Sequence, residues 1–320
     1  YLVAVEDGEI KAFAYAARHR FDLVWTTTLP PVLNGVMGRA AARFSGARFL
    51  YHVMDIYPEA AIAGGMARAG LVSRLAARID SATCRSADAV VVLSRDMAET
   101  IRRRGGNDRV HFHILNNPVL AELETVDRLD RAAAPGKRFR FIFSGNMGHF
   151  QSLPLLVEAM AHVPVESDIE LVFLGDGPVK PALVARASEL GLSHVRFFDR
   201  LPPLEAFEVT RGADVGVVSL APGVYRTSYP SKVMTYLAAG LPILAIVEGQ
   251  SALAEYLDAH EAGAAAPHEP EAIARAMLAL RDLYADGVPR MRLSGRALAD
   301  FGREQTARRW SELVDKLSFE

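Results

Sequence analysis

The sequence predicts an α/β fold of two doubly wound, Rossmann-like domains that face a cleft. Short apolar runs alternate with helical stretches, the alternation stops in an acidic and then Ala/Pro/Gly-rich stretch, and it resumes beyond that stretch. With 320 residues, the chain is also about twice as long as a typical domain. We therefore expect a first domain over 1–120, a linker over 121–137, a second domain over 138–300 and a C-terminal helix over 301–320.

The predicted strands of the first domain are apolar runs without polar alternation. They cover residues 21–25, 47–55, 87–94 and 110–117. Such runs, interleaved with helices, are typical of a parallel sheet that is covered on both faces. Residues 1–20 offer no opening strand with a glycine turn, so we expect that an N-terminal segment precedes Tyr1.

The overall composition excludes several classes of protein. Half of the residues are hydrophobic, 23% are charged and the net charge is −2, which is ordinary for a globular chain and does not favour a nucleic-acid partner. Cys84 is the only cysteine, so the chain holds neither a disulfide nor a cysteine-based metal site, and a reducing, cytoplasmic location is expected. No apolar run reaches the length of a transmembrane helix.

Three turns follow predicted strands of the second domain. The first, SGNMGHFQSL, contains Gly145 and Gly148, which would let the backbone approach a phosphate closely. Its spacing matches neither a dinucleotide-binding fingerprint nor a Walker loop, and a purely structural turn remains an alternative. The second, LGDGP, contains Gly175, and the third, FFDRLPP, could present backbone groups to a planar base.

The segment YPSKVMTYLAAG places a lysine where a helix disfavours one. Ser231 is the expected N-cap, and Lys232 falls in the first turn, although cations are more stable at the other end of a helix. A diphosphate opposite Lys232 would explain this position, and the alternative is an exposed, solvated lysine. Because no DxD motif and no His/Asp/Glu cluster with ligand spacing is present, we expect no metal.

In the first domain, His52, Asp55 and Glu59 are the candidate catalytic residues. They lie at or beyond the end of a strand, where Asp55 could orient an acceptor hydroxyl or support charge on a sugar ring. The alternatives are a cap or loop hydrogen bond for Asp55 and a core position for His52. Six arginines could also form a basic face toward lipid phosphate, or simply be solvated: Arg39, Arg43, Arg48, Arg102, Arg103 and Arg104.

Taken as a set, these motifs resemble the retaining GT-B glycosyltransferases of family 4. The similarity covers 138–300 through FSGNMGHFQSL, LVFLGDGP, VRFFDRLP, YPSKVMTYLAAGLPILA and GAAAPHEPEAIARAM, and is looser over the first half. The PSK form of the helix motif, with DIYPE, resembles the branch that builds bacterial O-antigen, capsule and colanic-acid polysaccharides.

The resemblance implies an enzyme that moves a hexosyl or N-acetylhexosaminyl group from a nucleotide diphosphate-sugar, UDP-linked, with retention of configuration. The implied acceptor is a polyprenyl-linked sugar or a glycan at the cytoplasmic membrane face, with peripheral contact to that surface. No cofactor or metal is implied, and the last helix, around Trp310, would cross back to the first domain.

The resemblance also assigns roles to residues of the second half. The diphosphate would be held by Gly145, Asn146, Gly148, Gln151, Ser231, Lys232 and Val233. The base and ribose would meet Phe198, Asp199, Arg200, Leu201 and Thr235, with Gly175, Arg226 and Thr227 also at the donor site. Where the family has two glutamates, this sequence has Thr227 and Thr235, so the roles of those glutamates cannot be assigned to these residues. Where the family usually has an Arg and a Lys after the first glycine turn, this sequence has Asn146 and Gln151. Lys232 is therefore the remaining cation for the diphosphate.

Two alternatives remain open. A sugar-nucleotide 2-epimerase would need paired acid and base residues, for which only His52, Asp55 and Glu59 are available. A non-catalytic nucleotide-sugar binding protein would fit the missing glutamates.

Overall fold

A computed structural model describes residues 20–119 and 138–319 and divides the chain into two compact units. The first unit holds the chain up to Asn117, the short segment Arg226–Tyr229 and the residues from Thr306 onward. The second unit holds Pro118–Tyr225 and Pro230–Gln305. The linker predicted over 121–137 falls outside the described residues, as do residues 1–19.

The first unit is built on a parallel sheet of four strands. In spatial order they are β1 (Leu23–Thr27), β2 (Arg48–Val53), β3 (Ala89–Val92) and β4 (Phe112–Ile114). Side chains alternate between the two faces, so Phe49 and Tyr51 enter one core cluster and Leu50 enters another. Both faces are therefore buried, as the unbroken apolar runs predict.

Helices cover both faces of this sheet. Four follow its strands: α1 (Leu33–Ser45), α2 (Glu59–Ala63), α3 (Leu71–Ser86) and α4 (Arg95–Arg103). The last helix of the chain, α12 (Arg303–Phe319), packs on the face opposite to α1, α3 and α4. Its Trp310 ring stacks on the Trp25 ring with centroids 4.4 Å apart.

The second unit contains a parallel sheet of six strands. These are β5 (Phe139–Ser144), β6 (Ile169–Leu174), β7 (Val195–Phe198), β8 (Val215–Ser219), β9 (Ile243–Ile246) and β10 (Gly263–Ala266). Their spatial order is β10-β9-β8-β5-β6-β7, so the direction of winding reverses between β5 and β8. A sheet of this kind binds ligands beyond the carboxyl ends of its strands at the reversal point.

Seven α-helices among the described residues of the second unit surround this sheet. They are α5 (Pro154–Met160), α6 (Lys180–Glu189), α7 (Pro203–Arg211), α8 (Lys232–Ala238), α9 (Ala252–Ala259), α10 (Pro270–Leu283) and α11 (Arg290–Phe301). Phe141, Phe143 and Phe173 lie at the centre of the core and are fully buried. The α/β class with two parallel sheets is thus confirmed.

Candidate functional site

The turns that follow β5, β6 and β7 are joined to one another by backbone hydrogen bonds. Gly145 N–H donates to the Leu174 carbonyl at 2.8 Å, and Gly175 N–H donates to the Phe198 carbonyl at 3.1 Å. Parallel strands end at the same edge, so these bonds combine the three predicted turns into one continuous rim.

Gly145 and Gly175 make this close approach possible. Both have positive φ, 122° and 139°, which residues with a side chain rarely adopt. A Cβ on Gly175 would lie 2.1 Å from the carbonyl oxygen of Gly145, so any side chain there would push the two turns apart. The glycines are therefore required by backbone packing, whatever ligand the rim binds.

A cavity of about 410 Å³ opens at this rim, a size that suits a small-molecule site. Its lining comes from all three turns and the start of α7: Ser144, Gly145, Asn146, Leu174, Gly175, Asp176, Gly177, Arg200, Leu201, Pro203 and Ala206. Five residues predicted for the donor site belong to this lining: Gly145, Asn146, Gly175, Arg200 and Leu201.

Lys180, which the sequence analysis missed, fixes one side of the cavity. Its ammonium donates to the carbonyls of Gly175 (2.8 Å) and Phe198 (3.0 Å) and to Asp199 Oδ1 (2.7 Å). The hydrogen bond from Lys180 lowers the pKa of Asp199. A lysine just after a Gly-Asp-Gly-Pro turn was the available signal, because its side chain can reach back over the strand ends.

Phe198 and Asp199 were predicted to contact the base, but neither lines the cavity. The Asp199 carboxylate pairs with Lys180, and the Phe198 ring lies under the guanidinium of Arg196, whose carbon is 5.0 Å from the ring centroid. Of the predicted stretch 198–201, only Arg200 and Leu201 therefore contribute to the lining of the cavity.

Lys232 lies beside the first glycine turn. Its Nζ is 4.9 Å from the centroid of the Phe143 ring and 3.0 Å from the position that a Cβ on Gly145 would take. Within the described part of the chain, its ammonium has no ion pair and no hydrogen bond. Burial lowers the pKa of Lys232 to about 8. Lys232 is thus a partly buried cation without a counter-ion, not an exposed, solvated lysine.

Tyr236 connects α8 to the turn after β5. The Ser144 N–H donates to the Tyr236 hydroxyl at 2.8 Å. The tyrosine ring lies over Gly216 of β8, where a Cβ would be 2.4 Å from the ring. Because these contacts join α8 to the turn after β5 and to β8, the position of α8, and with it Lys232, is fixed relative to the rim.

The structure also describes further residues that were predicted for the donor site. Ser231 occupies the predicted N-cap position of α8, but its side chain makes no capping hydrogen bond. Val233 is buried and its N–H donates to the Pro230 carbonyl at 3.2 Å. Gln151 Oε1 accepts from the Gly148 N–H at 2.9 Å, so this N–H is already bonded. Thr235 is partly buried on α8.

Asp55 forms a hydrogen bond within the first unit. Its Oδ1 accepts from the Ser228 hydroxyl at 2.5 Å, and the Ile56 N–H donates to the Thr227 carbonyl at 2.8 Å. This matches the loop hydrogen bond that was weighed against a catalytic role. Thr227 is buried and Arg226 is exposed, and both belong to the first unit.

The structure does not bring His52 and Glu59 to a common site with Asp55. His52 is buried on the face covered by α12, with its ring 5.0 Å from that of Trp310, and burial lowers its pKa to about 4. Glu59 forms an ion pair with Arg104, which also pairs with buried Asp80. Both side chains therefore make contacts within the first unit and do not meet at a shared site with Asp55.

Arg104 was one of six arginines predicted to form a basic face, and this assignment is wrong for it. Its guanidinium is buried, because Glu59 and Asp80 neutralise it inside the fold. Arg102 packs over the Phe112 ring at 4.8 Å, and Arg48 pairs with Asp88.

Two negative findings concern the described residues only. Residues 20–119 and 138–319 contain no cluster of three or more His, Cys, Asp or Glu side chains suited to a metal ion. In the same ranges, every helix is too short or too polar to cross a bilayer.

Family models and curated proteins show what the chain is similar to. Residues 138–282 match the model described as glycosyl transferases group 1, and residues 9–118 match the glycosyl transferase 4-like domain. The probable glycosyltransferase WbjE of Pseudomonas aeruginosa is 30% identical over 285 residues, which cover 85% of this chain and 70% of WbjE. The putative colanic acid biosynthesis glycosyl transferase WcaI of Escherichia coli K12 is 26% identical, over 76% of this chain and 61% of WcaI.

Solved structures share the fold. Anabaena Alr3699/HepE in complex with UDP has a TM-score of 0.75 at 16% identity, over 96% of this chain and 82% of HepE. The lipopolysaccharide outer core galactosyltransferase WaaB has a TM-score of 0.66 at 15% identity, over 96% and 79% of the two chains. The predicted GT-B fold class is confirmed by these likenesses.

Proposed function

Because this chain belongs to the group 1 glycosyltransferases, we propose that it transfers a sugar from a UDP-linked donor to a lipid-linked or polysaccharide acceptor, in bacterial surface polysaccharide synthesis. The proposed group is hexosyl or N-acetylhexosaminyl, and its configuration is retained. Lys232 is the observation that carries the donor assignment: a partly buried cation without a counter-ion lies beside a glycine turn and a cavity.

The proposed donor position follows from charge and shape. The nucleoside lies in the cavity toward Arg200 and Leu201, and the diphosphate lies against Gly145 and Asn146. There Lys232 supplies the positive charge that a diphosphate requires, and the Asn146 amide can donate a further hydrogen bond. The UDP bound to HepE supports the choice of nucleotide by analogy of fold.

The proposed chemistry requires stabilisation of the leaving group above all. The bond from the sugar to the diphosphate breaks, the acceptor oxygen bonds to the same face of the sugar, and the acceptor proton passes to a phosphate oxygen. Lys232 stabilises the negative charge that develops on the departing diphosphate. A resident metal is not required in this proposal, because the lysine supplies the charge that a divalent cation would otherwise supply.

We propose that Asp55 lies on the acceptor side of the reaction. Its Oδ1 accepts a hydrogen bond from Ser228, so its role is to hold a loop in place or to orient an acceptor hydroxyl. His52 and Glu59 are not retained as catalytic candidates, since one is in the core and the other pairs with Arg104.

A panel of UDP- and GDP-sugars, offered with and without a polyprenyl diphosphate-linked sugar, tests the proposal. We expect acceptor-dependent release of the nucleoside diphosphate and a product whose anomeric configuration matches that of the donor. Inversion at C2 without transfer would indicate an epimerase, and binding without turnover would indicate a binding protein. Lys232→Ala should reduce turnover, whereas Lys316→Ala, at an exposed lysine of α12, is the matched control.

A further inference from the structure

Helix α3 exposes an unusual amount of apolar surface. Four of its large apolar side chains have high exposed fractions: Leu71 79%, Val72 84%, Leu75 58% and Ile79 38%. At 100° per residue, these four positions share one side of the helix, away from the buried Asp80 and Cys84. Single exposed apolar residues are ordinary on a protein surface, but a contiguous stripe marks a contact surface.

Arginines border this stripe, and α3 itself exposes no carboxylate. Arg74 and Arg78 are exposed on α3 beside the apolar side chains, and neither forms an ion pair within the described residues. The only acidic residue of α3, Asp80, is buried and pairs with Arg104. The exposed surface of α3 is therefore both apolar and uniformly cationic.

The segments adjoining α3 continue the same pattern. The loop that precedes it exposes Met66 and Arg68. Helix α1, which packs beside α3, exposes Arg39 and Arg43 and contains no acidic residue. No Asp or Glu occurs from residue 60 to residue 79, so this segment supplies no carboxylate that could neutralise its arginines.

We propose that the α3 face docks on the surface of a bilayer that contains anionic lipid. This face is defined as Met66, Arg68, Leu71, Val72, Arg74, Leu75, Arg78 and Ile79. Apolar side chains enter the boundary between headgroups and acyl chains, while arginines at their border pair with lipid phosphates and keep their charged ends in water. A second copy of the chain suits this face less well, because a two-fold contact would place the same arginines against each other.

This inference rests on the proposed function in one respect, since a lipid-linked acceptor is found only at a membrane. Docking through α3 would concentrate the enzyme at the acceptor without using the donor cavity, whose lining belongs entirely to the second unit. Membrane docking and donor binding are therefore separate measurements on the same protein.

Vesicle co-sedimentation of the whole chain tests the docking surface. Phosphatidylcholine vesicles with about one third phosphatidylglycerol are compared with pure phosphatidylcholine vesicles. The wild type should prefer the anionic vesicles, and the combined change Leu71→Ser, Val72→Ser and Leu75→Ser should weaken this binding at least tenfold. Arg74→Glu with Arg78→Glu should remove the preference for anionic lipid, as should high salt.

Matched variants in the second unit control for general effects. Leu283→Ser with Met291→Ser changes two apolar side chains that are each 69% exposed, and Arg275→Glu changes an exposed arginine of α10. These variants should bind anionic vesicles as the wild type does. Equal losses in the controls and the α3 variants, or equal binding to both kinds of vesicle, would overturn the proposal.

UDP binding and circular dichroism of every variant separate the remaining outcomes. The α3 variants should retain the wild-type fold and UDP affinity, because they alter exposed side chains of the first unit. If vesicles bind but UDP does not, the donor proposal fails and the docking surface stands. If vesicles do not bind and the α3 changes instead abolish a concentration-dependent dimer, the docking proposal is wrong and a second copy occupies this face.

Discussion

The pKa of Lys232 makes UDP binding dependent on pH in a way that can be calculated. Burial lowers this pKa to about 8, and within the described residues no carboxylate compensates the charge. A bound diphosphate favours the protonated ammonium, so it raises the pKa of Lys232 in the complex. The affinity for UDP should therefore be highest well below pH 8, where Lys232 is protonated, and should fall as pH rises through 8.

The expected size of the effect follows from that value. With a pKa of about 8, roughly nine tenths of the lysine is protonated at pH 7 and roughly one tenth at pH 9, so UDP affinity should fall about tenfold between them. The terminal phosphate of UDP has its second pKa at about 6, so its charge changes little over this interval. At pH 7, Lys232→Ala should weaken UDP binding by about 1.5–3 kcal/mol, which is roughly 10- to 150-fold.

Isothermal titration calorimetry with UDP at several pH values between 7 and 9.5 measures both quantities. Lys232→Arg keeps its charge throughout this range and should bind UDP with little dependence on pH, whereas Lys232→Ala should bind weakly at every pH. A wild-type affinity that does not change between pH 7 and pH 9.5 would refute the reasoning. An equal pH dependence in Lys232→Ala would also refute it, because another group would then be responsible.

Three further predictions concern side chains around the rim and in the first core. Lys180→Met should weaken UDP binding roughly 5- to 30-fold by calorimetry, because the turn at Gly175 loses its link to the end of β7. Pyrophosphate affinity should change much less, and equal losses would place Lys180 at the phosphates instead. Tyr236→Phe leaves the Ser144 N–H without its acceptor and should lower the free energy of unfolding in urea by about 1–3 kcal/mol. Tyr284→Phe, at a hydroxyl that makes no hydrogen bond with the described residues, should not reproduce this effect. His52 has a folded pKa of about 4 against 6.5 when unfolded, so its contribution to stability is complete above pH 6.5 and is lost as pH falls toward 4. The loss should reach about 3 kcal/mol. In His52→Gln this part of the pH dependence should be absent, and an unchanged slope in urea unfolding between pH 6.5 and 4 would contradict the assignment.

Most strands could be predicted because their sequence pattern reflects burial on both faces. The apolar run at 21–25 overlaps β1, the runs at 47–55 and 87–94 contain β2 and β3, and the run after the linker contains β5. β10 was not predicted, since Gly263–Ala266 consists of glycine and alanine and gives no apolar signal. Residues 263–266 form a strand because they pair with β9. This pairing is a tertiary contact, which the propensity of the local sequence does not reveal.

The donor rim could be predicted in part for a similar reason. Glycine turns after strands reveal where a parallel sheet ends, so Gly145 and Gly175 were found from spacing alone. Lys232 was found because its position conflicts with the helix dipole. The roles of Lys180, Asp199 and Gln151 depend on which neighbour each side chain reaches, and sequence spacing does not encode this.

The two units are interleaved along the gene rather than arranged in series. The polypeptide leaves the first unit after Asn117, returns for Arg226–Tyr229 and returns again at Thr306. A gene fragment that stops at residue 120 would encode the first sheet without the helix that covers Leu50 and Val91, and without the hydroxyl that bonds to Asp55. Chimeras meant to exchange donor specificity between relatives should therefore carry four joints, after Asn117, Tyr225, Tyr229 and Gln305, so that both returning segments stay with the first sheet.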